Sequence, residues 1–308
     1  MCNRLAGTMY FGFGELAALA TAVSWAGSAQ AHTMVGRRIG SYRMIVARAP
    51  LFFACAALVS LAGGVSTATP AEAVMFFAIS AFMGMVVSDQ LIYYACVTIG
   101  PRLSILIQSL SSCLTALAGY CFLGEIIGLV GTAGILVTTG GVAFVMLEGG
   151  VKASSDLAFV SPALKRKGLA AALISAVAMS ASFFFLKMGL RTGINPIWTS
   201  CLRIALGGGM IWCIALAQGQ LCGALRAVWT NWSLMKMLLL AAWISTIGNV
   251  LAPLSMAYTE TGITATLIGL QPIAMIPITA LLDRTIPSVR AVIGTIIAFA
   301  GTTLIFLR

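Results

Sequence analysis

The sequence predicts an all-α integral membrane protein in which ten transmembrane helices form two inverted five-helix repeats. Of its 308 residues, 60% are hydrophobic and 8% are charged, and the mean hydropathy is +1.03. A soluble domain carries about 25% charged residues, so this chain has too few charges to cover a surface facing water. A helical span needs roughly 20 apolar residues, and the chain divides into about ten such segments with little left over.

The chain repeats itself, which is the second observation behind this fold. Several residues recur 155 to 162 positions later. The matched pairs are Arg48 and Arg203, Gly100 and Gly262, Gly134 and Gly294, Gly141 and Gly301, and Leu147 and Leu307. A duplicated unit with an odd number of spans inserts its copies in opposite orientations. Many secondary transporters are built in this way, with the substrate site where the repeats meet, so the duplication favours a small-molecule transporter.

The predicted spans follow the apolar runs in order. In the first half they cover 15–36, 43–63, 72–97, 101–123 and 126–147, and in the second 168–190, 195–217, 234–258, 262–282 and 287–307. These runs are too long for barrel strands, and helices satisfy every backbone polar group in lipid. The polar stretch 148–167 predicts a linker between repeats at 1–147 and 168–308. Ala29-Gln30-Ala31 resembles a signal-peptidase site, but we expect this run to be retained as the first helix.

The charges and cysteines exclude several classes of function. The formal charge of +10 lies mainly in the joints between spans, where basic residues orient a membrane protein, so we expect no nucleic-acid partner. The eight cysteines form no C-x-x-C pair and suit apolar packing, so we predict no metal and no cofactor. The odd-numbered joints carry most of the basic residues, which would place both termini outside the cell. No phosphate-binding G-x-x-x-x-G-K-[ST] motif is present in the sequence.

The fourth predicted helix carries a polar stripe. Ser104, Gln108, Ser111, Ser112 and Thr115 fall mostly at spacings of three and four, which places them on one helix face. This face either lines a polar cavity or lets helices pack closely through small residues. Because Gln108 offers both a donor and an acceptor, we predict that it binds substrate, together with Ser112.

The first and third helices supply further candidates. Trp25 and Ser28 could form an apolar wall with hydrogen-bonding groups beside it. His32 suits proton coupling, or it lies near a membrane interface with no such role. Asp89 is the only carboxylate well inside a predicted span. It either binds substrate or a proton, or forms a structural ion pair with Arg48 or another base.

Matched arginines and a second set of polar residues complete the candidates. Arg48 and Arg203 could bind a carboxylate or phosphate, but their nearness to helix ends favours snorkelling to the interface and a structural role. In the second half, Trp243, Asn249 and Gln271 are candidate substrate contacts. Pro253 and Pro272 interrupt helices and would permit gating. Glu125 is expected to cap the fifth helix.

Several motifs resemble the EamA-type branch of the drug/metabolite transporter superfamily. In the first half these are Tyr93-Tyr94-Ala95-Cys96-Val97-Thr98-Ile99-Gly100-Pro101, Gln108-Ser109-Leu110-Ser111-Ser112 and Phe122-Leu123-Gly124-Glu125. In the second half they are Ala257-Tyr258, Gln271-Pro272 and the stretch from Gly294 to Gly301, and Asp283-Arg284-Thr285 replaces the Leu-Gly-Glu corner. The resemblance implies ten helices in an inverted repeat, and export or exchange of metabolites, amino acids or drugs. It adds Tyr93 to the candidate substrate contacts, and members of this family usually have cytoplasmic termini, against the charge distribution.

Together these observations favour a monomeric secondary transporter in a membrane, expected to be the bacterial inner membrane. It would export amino acids or related metabolites by alternating access. The alternatives are a multidrug, nucleotide or sugar transporter of the same fold, and a membrane-embedded enzyme acting on a lipid. The enzyme is disfavoured because the acids occur singly and there is one histidine. A receptor or structural subunit is a third class, which the duplication disfavours.

Overall fold

The computed structural model describes residues 12–62, 69–125, 128–152, 161–283 and 289–306, and within these ranges all regular structure is helical. The helices of the first half are α1 (Phe13–Ile39), α2 (Ser41–Ala62), α3 (Ala71–Ile99), α4 (Pro101–Leu123) and α5 (Leu129–Lys152). Those of the second are α6 (Pro162–Leu190), α7 (Pro196–Ala217), α8 (Leu221–Trp229), α9 (Trp232–Tyr258), α10 (Thr261–Ile268), α11 (Gln271–Asp283) and α12 (Val289–Phe306).

The helices support an integral membrane protein. In the described ranges, seven helical stretches are long and apolar enough to cross a membrane, and two shorter apolar stretches cover Leu129–Gly141 and Val292–Gly301. Helix α1 has 27 residues but is not among the seven, because polar side chains such as Gln30 and His32 dilute its apolar run. Each predicted span overlaps a helix, whereas the number of membrane crossings stays a prediction.

One helix was not predicted. The nine-residue helix α8 occupies the joint between the seventh and eighth predicted spans. Its length is well below the roughly 20 residues of a span, so its short apolar run resembles a loop in the sequence. It buries Ala224 and Val228 and packs against α2 and α9.

Two helices are irregular. In α3, the segment Phe82–Ser88 is π-helical and ends directly before Asp89. Wider π-helical turns occur often at functional sites. In the second half, Gly269 and Leu270 separate α10 from α11. Irregular backbone at membrane depth is tolerated where it is buried in protein or lines a cavity, so both positions mark places to look for a site.

Corresponding helices of the two halves pack against one another reciprocally. Helix α1 packs on α9 and α6 packs on α3, while α2 pairs with α7 and α5 with α12. At the last contact, a Cβ atom on Gly141 would lie 2.6 Å from the backbone N of Ala298, and one on Gly301 would lie 2.4 Å from that of Thr138. Each residue is matched by its repeat partner 160 positions away, so an approximate two-fold axis relates the copies at this contact.

A polar cluster ties the halves together at one end of the bundle. Thr261, at the beginning of α10, donates to Glu125 from its backbone N–H at 2.8 Å and from its hydroxyl at 2.7 Å. The described hydrogen bonds of Glu125 therefore go to α10 in the other half, not to α5 as predicted. Lys187 donates to the carbonyls of Met256 and Thr259 at 2.6 and 2.8 Å, where α9 ends. Its Nζ lies 3.9 Å from a Glu125 oxygen.

Candidate functional site

A cavity lies between the two halves and encloses about 730 Å³ of empty space, including the part that opens to the outside. Both halves supply its walls. The lining residues used below are Trp25, Ser28, Arg48, Asp89, Tyr93 and Gln108 from the first half, and Met179, Phe183, Arg203, Asn249 and Gln271 from the second. Most of the predicted substrate contacts are therefore brought together in one place. A smaller adjoining space shares Trp25, Gln108 and Gln271 and reaches Pro272.

Asp89 forms a buried ion pair with Arg48. The Arg48 guanidinium donates to the Asp89 carboxylate at 2.5 Å, and the two side chains are 3% and 20% exposed. The same guanidinium lies 5.3 Å from the ring centroids of both Phe52 and Tyr93, within the range of cation–π attraction. The structural ion pair considered for Asp89 is thus present, and it lies in the wall of the cavity.

Both arginines point inward. Arg48 is 2% exposed and Arg203 is 8% exposed, so the prediction that they snorkel to the interface is wrong. Position along a helix gives the distance to its end but not which face the residue occupies. Here both guanidinium groups line the cavity and bond to polar groups beside it. Neither therefore has to reach the membrane surface.

The ion pair extends into a hydrogen-bonded chain that ends at His32. Arg48 donates to the Tyr93 hydroxyl at 3.4 Å, and this hydroxyl is 3.2 Å from Nδ1 of His32. Since arginine can only donate, the Tyr93 oxygen accepts from it and its proton is free to bond Nδ1. The tautomer of the imidazole decides whether Tyr93 or Nδ1 of His32 donates across this contact. His32 is fully buried inside the bundle, whereas its depth in the membrane stays a prediction.

Gln108 is held where three helices meet. Its side-chain nitrogen lies 3.3 Å from the Ser88 hydroxyl on α3 and 3.2 Å from the Ser175 hydroxyl on α6. The two hydroxyls also bond each other at 2.9 Å. Because the amide nitrogen is used in this way, the amide is oriented by the protein before any ligand arrives, and its carbonyl oxygen is left as the group available to accept.

Ser111 borders the smaller adjoining space, and the rest of the helix α4 stripe packs against neighbours. Ser112 donates to the Ala265 carbonyl of α10 at 2.7 Å and does not line the cavity. Ser104 donates to Gly100 within its own helix, and Thr115 is fully buried. The two alternatives for the stripe therefore apply to different residues, since Gln108 faces the cavity while the small residues allow close packing.

Arg203 is the second charged group of the wall. It donates to the Ser182 hydroxyl at 3.1 Å. Its Nε–H is buried and has no hydrogen-bond partner within the described ranges. Ser182 in turn donates to the Ser80 carbonyl at 2.8 Å, so the proton of this hydroxyl is already used in a hydrogen bond. The matched arginines thus differ, because Arg48 is hydrogen-bonded to a carboxylate, whereas the hydrogen-bond partner of Arg203 among the described residues is a hydroxyl.

Aromatic and small polar residues form the remaining wall. Trp25 stacks on Phe183 across the halves, with ring centroids 6.4 Å apart and planes 3° from parallel. Asn249 donates to the Ser245 carbonyl at 2.9 Å and lines the cavity together with Ser28 and Gln271. Pro253 is buried within α9.

Trp243 does not join this wall. It is 45% exposed on the outside of α9 and is absent from the cavity lining. Sequence reasoning also missed Phe183 and Met179, because apolar residues by themselves do not show which face of α6 lines a cavity. A usable signal existed for the contact between α3 and α6, since each helix carries two serines about two turns apart: Ser80, Ser88, Ser175 and Ser182.

Many secondary transporters consist of two helical halves that meet around a shared polar cavity in the membrane. The sequence model of the EamA-like transporter family matches residues 12–147 and 166–307. The chain therefore belongs to the EamA-like transporter family, as its motifs indicated, and is a membrane transporter of the drug/metabolite type. The two matched stretches correspond to the two copies seen in the sequence.

The comparisons also support the fold. A protein of known crystal structure aligns with 96% of this chain and 96% of its own length, with a TM-score of 0.73 and 16% sequence identity. At this identity the likeness concerns the fold alone. No curated protein matches the chain.

Proposed function

We propose that the protein is a secondary transporter that exports amino acids or related small metabolites by alternating access. The observation that carries this proposal is the cavity lined by residues from both halves, with amide and guanidinium groups beside an aromatic wall. Substrate sites of duplicated transporters lie where the repeats meet. The ten predicted spans, the ninth of which comprises α10 and α11, would each cross the membrane, as two inverted repeats of five with a linker near 148–167.

Substrate contacts in this proposal come from both halves. Trp25 supplies an apolar surface, and Ser28 and Tyr93 border it. Gln108 accepts from a substrate N–H because its nitrogen is already bonded to two serines. Asn249 and Gln271 complete the site from the second half. Ser112 and Trp243 are left out because neither lines the cavity.

Gating would use the irregular points of the helices. Pro253 removes a backbone hydrogen bond inside α9, and Pro272 lies in the first turn of α11, beside the break at Gly269 and Leu270. The π-helical turn of α3 reaches the cavity through Gly84 and Met85. Helices broken next to a site can bend without exposing unpaired backbone to lipid. Rocking of one half against the other would then open the cavity to each side in turn.

Proton coupling through Asp89 and His32 is a separate part of the proposal. The two residues belong to one hydrogen-bonded chain that runs through Arg48 and Tyr93. A proton taken up at Asp89 would weaken its bond with Arg48 and change the charge of the cavity. A monomeric transporter is expected because one chain already supplies both halves, and a bacterial inner membrane is a further part of the proposal.

Counterflow in proteoliposomes tests the proposal. Vesicles loaded with an unlabelled amino-acid mixture are assayed for labelled uptake, with and without a pH gradient, for wild type, Gln108→Ala and Asp89→Asn. We expect uptake by wild type and a marked fall in Gln108→Ala. If Asp89 couples transport to protons, Asp89→Asn alone changes the response to the gradient. Absence of counterflow for amino acids, with flux of sugars, nucleotides or drugs, would contradict the substrate class while the fold stands.

A further inference from the structure

We infer that Arg203 binds a carboxylate group of the transported molecule, an inference that rests on the proposed transport function and narrows its substrate class. Sequence reasoning gave Arg203 and Arg48 the same structural role, because they occupy matched positions in the two repeats. Their surroundings differ, and the difference identifies the ligand.

The cavity wall carries an uncompensated positive charge. Its charged lining residues are two arginines and a single carboxylate, Asp89, in the described part of the chain. Asp89 is committed to Arg48 at 2.5 Å, and no direct hydrogen bond joins it to Arg203. Burying a charge away from water is costly unless it is paired, so a site with this balance favours a ligand that brings a negative charge.

Arg203 has free donors to offer such a ligand. A guanidinium has five N–H donors in a planar fork that matches the two oxygens of a carboxylate. Of these, one bonds the Ser182 hydroxyl at 3.1 Å within the part of the chain that the structure describes. The buried Nε–H has no partner among the described residues, although the side chain is only 8% exposed and lines the cavity. Buried polar groups in proteins nearly always have a partner, so a missing partner here indicates a ligand.

The balance of charge selects a carboxylate over a phosphate ester. One carboxylate would neutralise the single excess charge, whereas a phosphate monoester carries about −1.5 to −2 at neutral pH. The stacked pair of Trp25 and Phe183 offers an apolar surface in the same cavity. The ligand that the charge balance fits is therefore a small monocarboxylate with an apolar portion. An apolar amino acid offers Arg203 the same carboxylate, but as a zwitterion it leaves the net charge of the cavity unchanged.

Thermal unfolding of the detergent-solubilised full chain tests this inference without requiring transport. The probes are benzoate and L-leucine, each compared with its amide, benzamide and L-leucinamide, and phenyl phosphate. A ligand that binds only the folded state raises Tm in proportion to its concentration over Kd. We expect both carboxylates to raise the Tm of the wild type, the amides to raise it little, and phenyl phosphate to raise it less than benzoate.

Three variants identify the residue responsible. Loss of a charged hydrogen-bonding group should weaken binding of L-leucine about 10- to 100-fold in Arg203→Gln, with a smaller loss in Arg203→Lys, which keeps the charge but not the fork. Arg226→Gln, an exposed position on α8, is the matched control and should bind as wild type does. Without ligand, Arg203→Gln should unfold at the wild-type Tm or above it, because an unpaired buried charge is removed.

The outcomes separate this inference from the transport proposal. Equal stabilisation by carboxylates and amides, no stabilisation by any carboxylate, or unchanged selectivity in Arg203→Gln would each overturn the role of Arg203. Stronger binding of phenyl phosphate than of benzoate would overturn the choice of carboxylate. Counterflow of uncharged compounds together with such results would leave the transporter proposal intact. Carboxylate binding without any counterflow would contradict transport but not the site.

Discussion

Glu125, at the end of the first copy's α4, receives both the backbone N–H and the hydroxyl of Thr261, the first residue of α10 in the second copy. A helix beginning leaves N–H groups without partners inside the helix, and a carboxylate there is favourable. Lys187 approaches the same carboxylate at 3.9 Å while bonding the last carbonyls of α9. One acidic residue thus helps to hold the turn between α9 and α10 against α4 and α6.

Removal of this carboxylate should destabilise the fold. Loss of a helix cap costs about 1 kcal/mol, and Lys187 would lose a charged neighbour in a partly buried place. We expect Glu125→Ala to lower the apparent Tm in detergent, and Glu125→Gln to lower it less because an amide oxygen still accepts. Glu72→Ala, at an exposed position in the first turn of α3, is the control. A Tm for Glu125→Ala equal to that of the control would refute the cap.

The contact between α5 and α12 should tolerate no added methyl group. A Cβ at position 141 would lie 2.6 Å from the backbone N of Ala298, so the two helices would have to separate. We expect Gly141→Ala to cost about 1–3 kcal/mol, in the range of overpacked cores. Gly301→Ala should cost a similar amount, because the two-fold relation gives it the same contact with Thr138.

Gly140 offers a matched control for this contact, since an added Cβ there meets nothing within 4 Å. Gly140→Ala should be neutral or stabilise the helix by up to about 1 kcal/mol, because alanine favours a helix more than glycine does. Thermal unfolding of all three variants makes the comparison. Equal losses at Gly140 and Gly141 would contradict the close approach.

The Arg48–Asp89 pair should show strong coupling in a double-mutant cycle. Breaking a buried pair leaves one charge without its partner and costs about 3 kcal/mol or more. We therefore expect Asp89→Asn and Arg48→Gln each to lower the Tm clearly, and the double variant to lose less than the sum of the two. Additive losses would show that the ion pair contributes no coupling.

Gln108→Ala should separate function from stability. The Ser88 and Ser175 hydroxyls bond each other at 2.9 Å and also each other's helix carbonyls at 3.1 Å, so they keep partners when the amide is removed. We expect a stability change below about 1 kcal/mol and a counterflow rate lowered about tenfold, as for loss of one substrate hydrogen bond. Gln218→Ala, exposed at the end of α7, should transport as wild type does. A wild-type rate in Gln108→Ala would remove this residue from the site.

Local patterns in the sequence were enough to predict the class of protein. Hydropathy and run length belong to each segment by itself, so the helices and their order could be predicted, with α8 missed because its run is short. The recurrence of Gly134, Gly141, Gly294 and Gly301 predicted a duplication, and the structure places these glycines at one reciprocal contact. Polar residues inside apolar runs indicated Gln108, Asp89 and Asn249 as part of a cavity, which they line.

The tertiary structure decided which side chains, far apart in the sequence, contact each other. Asp89 pairs with Arg48 over 41 positions, and Glu125 bonds Thr261 over 136, separations at which no local pattern carries information. The same holds for the buried position of Arg203 and the exposed position of Trp243, because the mainly apolar sequences of α7 and α9 do not by themselves show which face is buried. The sequence by itself determined a duplicated helical membrane transporter. Contacts between distant residues decided its charge balance, since the energy of a buried charge depends on the partner that the fold brings to it.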